Sequence, residues 1–348
     1  MDVQVAAILL QDGLTNGAVY LLLGLALVLV FSVTRVLYLP QGEFVTFGAL
    51  GFAMLAKGHV PGTAWLVIVL GLVCAACDVV GATAGRRVAA LGRTVVFNIA
   101  VPLALLALGW WGSRAGVPAA VKALLAIALV VPLGPMIYRI AFRPVAESSI
   151  LTLMIVAVTV HFVLVGLSLI FFGPEGMQAQ PLLDGSFTLG ETTITAQSLL
   201  TCGVAALVVV ALYVLFDRTL YGKALRATAI SRTGAKLLGI RTHMAGSLAF
   251  SLSAAIGALC GVLLVSLTPV YYDSGLAIGM RGFIASVVGA LVSFPATALG
   301  AIGVGLVESY SAFFASQLKD ALLFMAIIPV LLYLSLRHVN VHDQEEDA

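Results

Sequence analysis

The sequence predicts an all-α, polytopic membrane helix bundle, and three observations carry that prediction. Of 348 residues, 61% are apolar and only 10% are charged, whereas a water-soluble globule has about a quarter of its residues charged. Mean hydropathy is +1.12. Apolar runs of about 20 residues, the length that crosses ~30 Å of hydrocarbon, recur along the chain. A formal charge of +2 is too small to point to nucleic acid, so the placement of the cations matters more than their sum. The first 30 residues lack a charged leader and a cleavage site, so no removable signal peptide is expected.

In chain order, spans are expected near 13 to 34, 64 to 85, 94 to 111, 119 to 138, 149 to 172, 197 to 216, 245 to 270, 297 to 316 and 320 to 336. Segments 43 to 57 and 277 to 292 are too short to cross comfortably and are rich in glycine. They are read as short discontinuous helices that cross in part, bend or re-enter, because irregular backbone at membrane depth survives only where protein or a wet cavity surrounds it. The expected count is nine to eleven spans, over a membrane domain at 1–336 and a tail at 337–348. A span leading through TRVLYLPQGEF into the first short segment is echoed by the span from 245, which leads through TPVYYDSGL into the second. Paired short, Gly-interrupted segments in halves of opposite orientation are the sign of two inverted repeats around a central pathway.

Arg86, Arg87 and Arg93 mark one inside loop, Arg139 and Arg143 a second, and segment 217–243 a third. Residues 173–197 contain Glu175, Asp184 and Glu191 and no lysine or arginine. That asymmetry predicts an outer N-terminus and a cytoplasmic tail, HDQEEDA. In the outer loop, SFTL and TTIT flank Gly190 and Glu191 and predict a small hairpin.

No GxxxxGK[ST], HExxH or GxSxG occurs, so the chain does not bind ATP through a P-loop and carries no familiar hydrolase signature. Cys74 and Cys77 form a CxxC within an apolar run, with Cys202 and Cys260 isolated elsewhere and no histidine at ligand spacing; these read as packing residues, and no metal site is expected. His161, alone deep in a span, reads as a structural residue with no partner in view. Glu308, mid-span in GVGLVESYSAFF, is either a polar point on a solute route or an interhelical hydrogen bond to serine or threonine. Asp78, nearer the end of its span, favours a structural role, and Arg281 is a further ionisable residue near a span. Glu43, beside Gly42 at the start of the first short segment, can cap free N–H groups at a positive helix end.

Segment 217–243 sets six cations (Arg218, Lys223, Arg226, Arg232, Lys236, Arg241) against a single acid, Asp217. Leu225, Ala229, Leu237, Leu238 and Ile240 give it an apolar stripe, and Gly222, Gly234 and Gly239 supply breaks. Its residues alone fit two uses equally: an interfacial helix on anionic lipid, or a coupling helix seated in a soluble ATPase.

LTNGAVYLLLGLALVLVFSVTRVLYLPQGEF, RTLYGKALRATAISRTGAKLLGIRTHMAGSLAFSLSAAIGALCGVLL and GLAIGMRGFIASVVGALVSFPATALGAIGVGLVES together resemble the LivH-type permease of branched-chain amino acid ABC transporters. YRIAFRP, Tyr138 to Pro144, resembles the family's loop before its central span. Where the family has an NFAHGE-like run, this chain has Tyr38, Leu39, Pro40, Gln41, Gly42 and Glu43, and the region from 86 to 130 is longer than is typical.

The resemblance implies a transport subunit of the bacterial inner membrane with no catalytic residue and no cofactor of its own, ATP and Mg residing on partner subunits. Its implied partners are two ATP-binding cassette subunits, a second permease or another copy of this chain, a periplasmic binding protein, and membrane lipid, with no nucleic acid. Implied cargo is hydrophobic amino acids, with amides and urea among related members. It assigns ATPase coupling to Gly222, Lys223, Leu225, Arg226, Ala229, Leu238, Gly239 and Ile240, with Leu225, Ala229 and Ile240 as the apolar centre. The candidate substrate pathway is Asn16, Gln41, Gly42, Glu43, Gly279, Gly282 and Glu308. The competing functions are a stand-alone ion-coupled secondary transporter and an intramembrane enzyme acting on lipids, which would gather His161, Glu308 and Asp78 around one cavity.

Overall fold

The structure, a computed structural model, describes residues 3–81, 96–114, 116–189, 192–291 and 293–325, with 328, 329 and 332. Arg86, Arg87, Arg93, Gly190, Glu191, the tail and part of the expected last span lie outside the described residues. The helices are α1 (Val3–Thr34), α2 (Gln41–Ala56), α3 (Gly62–Gly81), α4 (Val101–Gly112, preceded by a π-helical turn at Val96–Ala100), α5 (Ala119–Val130) and α6 (Leu133–Ile137), the last running into a π-helical turn at Tyr138–Phe142. There follow α7 (Ile150–Phe172), α8 (Ala196–Arg218), α9 (Leu220–Ile230), α10 (Arg232–Leu237), α11 (Thr242–Leu264), α12 (Ser274–Val288), α13 (Phe294–Phe314) and α14 (Lys319–Met325). Among the described residues, six helices are long and apolar enough to cross a bilayer by length and composition: Gln4–Thr34, Ala119–Phe142, Ile150–Phe172, Ala196–Arg218, Thr242–Leu264 and Phe294–Phe314.

The only sheet among the described residues is the expected hairpin, β1 (Ser186–Leu189) antiparallel to β2 (Thr192–Thr195), with Ser186 opposite Thr195. The span expected to reach 270 ends instead at Leu264. Pro269 accounts for the early stop, since it lacks an N–H and pushes Thr268 away from helical geometry. The chain there turns into a linker, 265–273, before α12 begins.

At the centre, α2 lies along α11 and α12 lies along α1, while α1 packs on α11 and α2 meets α12. Exchanging the unit α1–α2 with the unit α11–α12 leaves that set of neighbours unchanged. The two long helices run in opposite directions: the Cys260 thiol donates to the Val19 carbonyl at 3.6 Å, and Leu29 and Val33, toward the other end of α1, pack on Ala245 and Ala249. The expected inverted repeat is therefore visible in the packing, with a short helix following each long one. Against this centre α13 runs antiparallel to α1, bringing Gly13 to Leu306, Gly17 to Ile302 and Gly24 to Thr297.

Why α2 is central follows from its composition. Its sequence, QGEFVTFGALGFAMLA, is apolar almost all round, which suits a helix enclosed by protein, and all its residues except Met54 and Ala56 are buried. It stops at a Schellman turn: Gly58 takes φ +82°, its N–H reaches the Leu55 carbonyl, and the His59 N–H reaches that of Met54. Without water at this depth, helices associate through close packing of small residues. Gly261 of α11 lies against the Val45 carbonyl, where any Cβ would collide with backbone.

Gly261→Val should therefore push α11 off α2 and destabilise the protein by about 3 kcal/mol. Gly166, on α7, has open space around it, so Gly166→Ala should leave stability unchanged or slightly raised. Thermal unfolding in detergent distinguishes the two; equal midpoints would contradict the assigned packing.

Candidate functional site

The two short helices begin face to face. Gly42 and Gly275 are each the second residue of their helix, and a Cβ on Gly42 would overlap the Gly275 carbonyl. A Cβ on Gly275 would in turn occupy the place of the Glu43 carboxylate, and one on Gly279 would lie 3.2 Å from the Gly42 nitrogen. Neither helix has a side-chain cap: Pro40 and Asp273 precede them without supplying one. Glu43 is thus not the capping residue its position suggested. Its carboxylate is fully buried, between the positive ends of two helices, where negative charge is favoured.

Its partner is His161 of α7, whose Nδ1 lies 3.1 Å from Glu43 Oε1, a separation that makes an ion pair when the imidazole is protonated, but outside hydrogen-bond alignment. His161 therefore has a partner, contrary to the expectation from sequence, because α7 passes beside the start of α2. Gln41 is fixed on α11 by donating its amide to the Ser253 carbonyl at 3.1 Å and accepting from the Ser253 hydroxyl. Tyr38 packs among Phe44, Phe142 and Phe250, with centroids 5.6, 5.6 and 4.7 Å away. Its buried hydroxyl has no hydrogen-bond partner among the described residues.

Beside this junction is a cavity of about 210 Å³, lined by Leu27, Phe31, Tyr38, Met154, Gly279 and Phe283 with their neighbours. Its wall is apolar, and Gly279, which lies against Gly42, places the junction directly behind that wall. The structure thus joins Gln41, Gly42, Glu43 and Gly279 of the candidate pathway. Gly282 instead packs on Leu23, and Asn16 is half-buried one helical turn before Tyr20.

Glu308 belongs to a different cluster. It accepts from the Tyr20 hydroxyl and lies 3.2 Å from Arg281, which also reaches Asp320 at 3.3 Å. Its partner is thus a cation and a tyrosine rather than serine or threonine. Asp78 forms a third group, pairing with Arg139 and accepting from the Asn98 amide at 3.0 Å. His161, Glu308 and Asp78 each answer to separate partners on separate helices, which is not the shared catalytic cluster that a lipid-acting enzyme requires.

Segment 217–243 folds as α9, α10 and their turns. Thr219 and Ser231 cap the two helices by accepting from the Gly222 and Gly234 N–H groups at 3.0 and 3.1 Å. Gly239, at φ +78°, closes α10 with a second Schellman turn through Ile240 N–H to the Ala235 carbonyl. Leu225 is corrected by the structure: it is 0% exposed and packs on Leu29, Val33, Ala245 and Ala249, so it anchors α9 to the bundle. Gly222 is also inward, against the Leu215 carbonyl, while Ala229 and Ile240 are only half-exposed. The outward apolar side chains are Leu220, Tyr221, Ile230, Leu237 and Leu238, with Lys223 and Arg226 exposed among them. An apolar stripe alone could not say which side faced the bundle.

This segment is tied to the loop before α7 by Arg232, which donates to the Ala146 carbonyl at 2.9 Å, and by Lys236, 2.7 Å from Glu147. The Lys236 ammonium, by hydrogen bond and charge, holds the Glu147 carboxyl below the usual carboxylate range. The sign follows from that depression. The tie is complete above the ordinary carboxyl pKa and is lost as pH falls through the lowered value. At the opposite end of the bundle, the loop after α7 is pinned to the 265–273 linker by paired hydrogen bonds between Met177 and Val270, both 2.9 Å.

Two measurements check the site's electrostatics. His161→Leu should cost about 3–5 kcal/mol by leaving Glu43 uncompensated, and adding Glu43→Gln should recover most of the loss; additive effects in a double-mutant cycle would contradict the pairing. Lys236→Gln should raise the Glu147 titration midpoint toward the ordinary range, read by infrared spectroscopy of isotope-labelled carboxylates; an unmoved midpoint would rule out the tie.

Comparison with known proteins gives the family of the chain. The family described as "Branched-chain amino acid transport system / permease component" matches residues 87–334. The high-affinity branched-chain amino acid transport system permease protein LivH of Escherichia coli is 26% identical over 331 residues, 92% of this chain and 91% of the relative. Its counterpart in Salmonella typhimurium is 25% identical over the same shares. The corresponding permease protein BraD of Pseudomonas aeruginosa is 29% identical over 252 residues, 70% of this chain and 80% of the relative. No solved structure matches. With 248 of its residues under the family match and its apolar spans intact, the chain belongs to the permease component family of branched-chain amino acid transport systems, as a multi-pass protein of the inner membrane.

Proposed function

We propose that this chain is the membrane-spanning subunit of an ABC importer for branched-chain and other hydrophobic amino acids or related small organic solutes such as amides, driven by separate ATPase subunits. The observation that carries the proposal is the junction of α2 and α12. It sets a buried carboxylate, an unpartnered tyrosine hydroxyl and two helix starts beside an apolar cavity. An amino acid with an aliphatic side chain divides along the same line: its hydrocarbon is matched to Leu27, Phe31 and Phe283, and its ammonium to Glu43 once Gly42 and Gly275 part, because the carboxylate is fully enclosed while they touch. Such sites are mostly apolar with a few convergent polar groups.

The energy enters through partners. A binding protein delivers solute at the end bearing residues 173–197, and two ATP-binding subunits grip the exposed face of α9 and α10. A second permease, of this or another sequence, completes the pore. ATP binding shifts the transporter only if the partner holds its two states with unequal affinity. Lys223 and Arg226 form the charged surround of an interface whose apolar anchors are Leu220, Tyr221, Ile230, Leu237 and Leu238.

In proteoliposomes, the purified chain alone should take up no leucine under a proton or sodium gradient. Adding ATPase subunits, binding protein and ATP should start uptake; gradient-driven uptake by the chain alone would establish a secondary transporter instead. Replacement of Gly239 or Arg226 by alanine should lower ATP-driven uptake about tenfold while leaving membrane insertion intact, in the range of a typical coupling free energy. Unchanged uptake in both variants would refute this use of the segment.

A further inference from the structure

We propose that Arg35 is the positioning residue that connects the coupling segment to the transport site, by strapping the end of α9 to the linker that enters α2. The inference rests on the reading of the chain as an ATP-driven permease and names the route by which a partner moves the site.

Arg35 stands directly after α1 and closes it, its N–H bonding the Phe31 carbonyl at 2.7 Å. Its backbone takes φ +59°, a left-handed conformation uncommon outside glycine and maintained where the surroundings hold it. The guanidinium sits 6.0 Å from the Phe31 ring centroid and donates to the Ala229 carbonyl at 3.1 Å. Ala229 lies in the last turn of α9, where carbonyls lack partners within the helix and the dipole favours a cation. Among the described residues, this is the hydrogen bond by which the 35–40 linker reaches an element other than α1 and α2, which it joins.

What the linker carries makes the strap consequential. Val36, Leu37, Tyr38 and Leu39 line the cavity, and the next residues are Pro40, Gln41, Gly42 and Glu43. Leu225 gives α9 an apolar contact with the bundle, which resists separation but has no direction. Arg35 supplies the directional part, so a displacement of α9 pulls on Tyr38 and on the start of α2. The second linker is held from the other end, through Met177 to Val270 and the Ala179 N–H to the Val265 carbonyl at 3.1 Å. Each short helix is thereby addressed from a different face, and the two addresses converge where Gly42 meets Gly275.

The test uses the transporter assembled with its ATPase subunits and binding protein in proteoliposomes. Arg35→Asn keeps a residue that tolerates the left-handed backbone but is too short to reach Ala229. It should assemble and hydrolyse ATP within about twofold of the wild type while importing about fivefold less leucine per ATP, the lower end of typical coupling. Arg35→Lys, which keeps a donor of similar reach, should restore much of that ratio. In a background with Cys77 and Cys202 replaced by serine, Leu37→Cys should react with a thiol reagent at a rate that ATP changes about threefold or more when Arg35 is present. That ATP dependence should disappear when Arg35→Asn is added. The link is overturned if leucine imported per ATP, or the ATP dependence of labelling, is unaffected by Arg35→Asn. Loss of assembly in that variant also overturns it, since Arg35 is then structural. A wild-type chain that never captures ATPase subunits sinks the permease reading instead, which keeps the two failures apart.

Discussion

The close approach of Gly42 to Gly275 is the constraint around which the rest of the bundle is built. Helix starts expose N–H groups without intrahelical partners, and at membrane depth such groups are tolerated only inside protein or beside a wet cavity. Two starts brought together must therefore be enclosed, and α1, α11 and α7 do the enclosing. That need explains why α2 is buried on nearly every side. It also explains why α11 presents Gly257 and Gly261 to α2, since larger residues would hold the enclosing helix away. Glu43 fits into the remaining space because both helix ends favour its charge.

The charged groups then fix which helices face one another. Glu43 joins α2 to α7 through His161; Glu308 joins α13 to α12 and α1 through Arg281 and Tyr20; Asp78 joins α3 to the turn after α6 through Arg139. A buried ion pair is weak evidence for net stability, but breaking one by removing a single partner is costly. In a bundle whose helices are held largely by non-directional packing, these pairs join hydrogen bonds such as that of Gln41 with Ser253 as the specific contacts. The same division holds at the surface formed by α9 and α10, where Leu225 seats α9 and the bonds of Arg35, Arg232 and Lys236 orient its segment.

Much of this was legible in the sequence because lipid simplifies the physics. Long apolar runs can only be spans or buried helices, and the short glycine-bearing segments stood out against them. The equivalence of QGE and SGL at the helix starts was available in the repeat, although only coordinates show Gly42 touching Gly275. What escaped prediction was pairing across the bundle. Nothing local to His161 points to Glu43 at a separation of 118 residues, and nothing local to Glu308 points to Tyr20 at 288. The direction of Leu225 was likewise hidden, because a short amphipathic helix offers the same stripe to its own bundle or to a partner. Pro269, by contrast, was a signal present in the sequence and should have ended the span before 270.

Solute, on this account, crosses where the two short helices begin, and the measurement that addresses that claim most directly is a structure of the assembled transporter trapped with leucine. The account predicts density for the amino acid between Glu43 and the wall formed by Leu27, Gly279 and Phe283, with Gly42 and Gly275 separated relative to their present contact. Density elsewhere in the bundle, with those two glycines still touching, would contradict it.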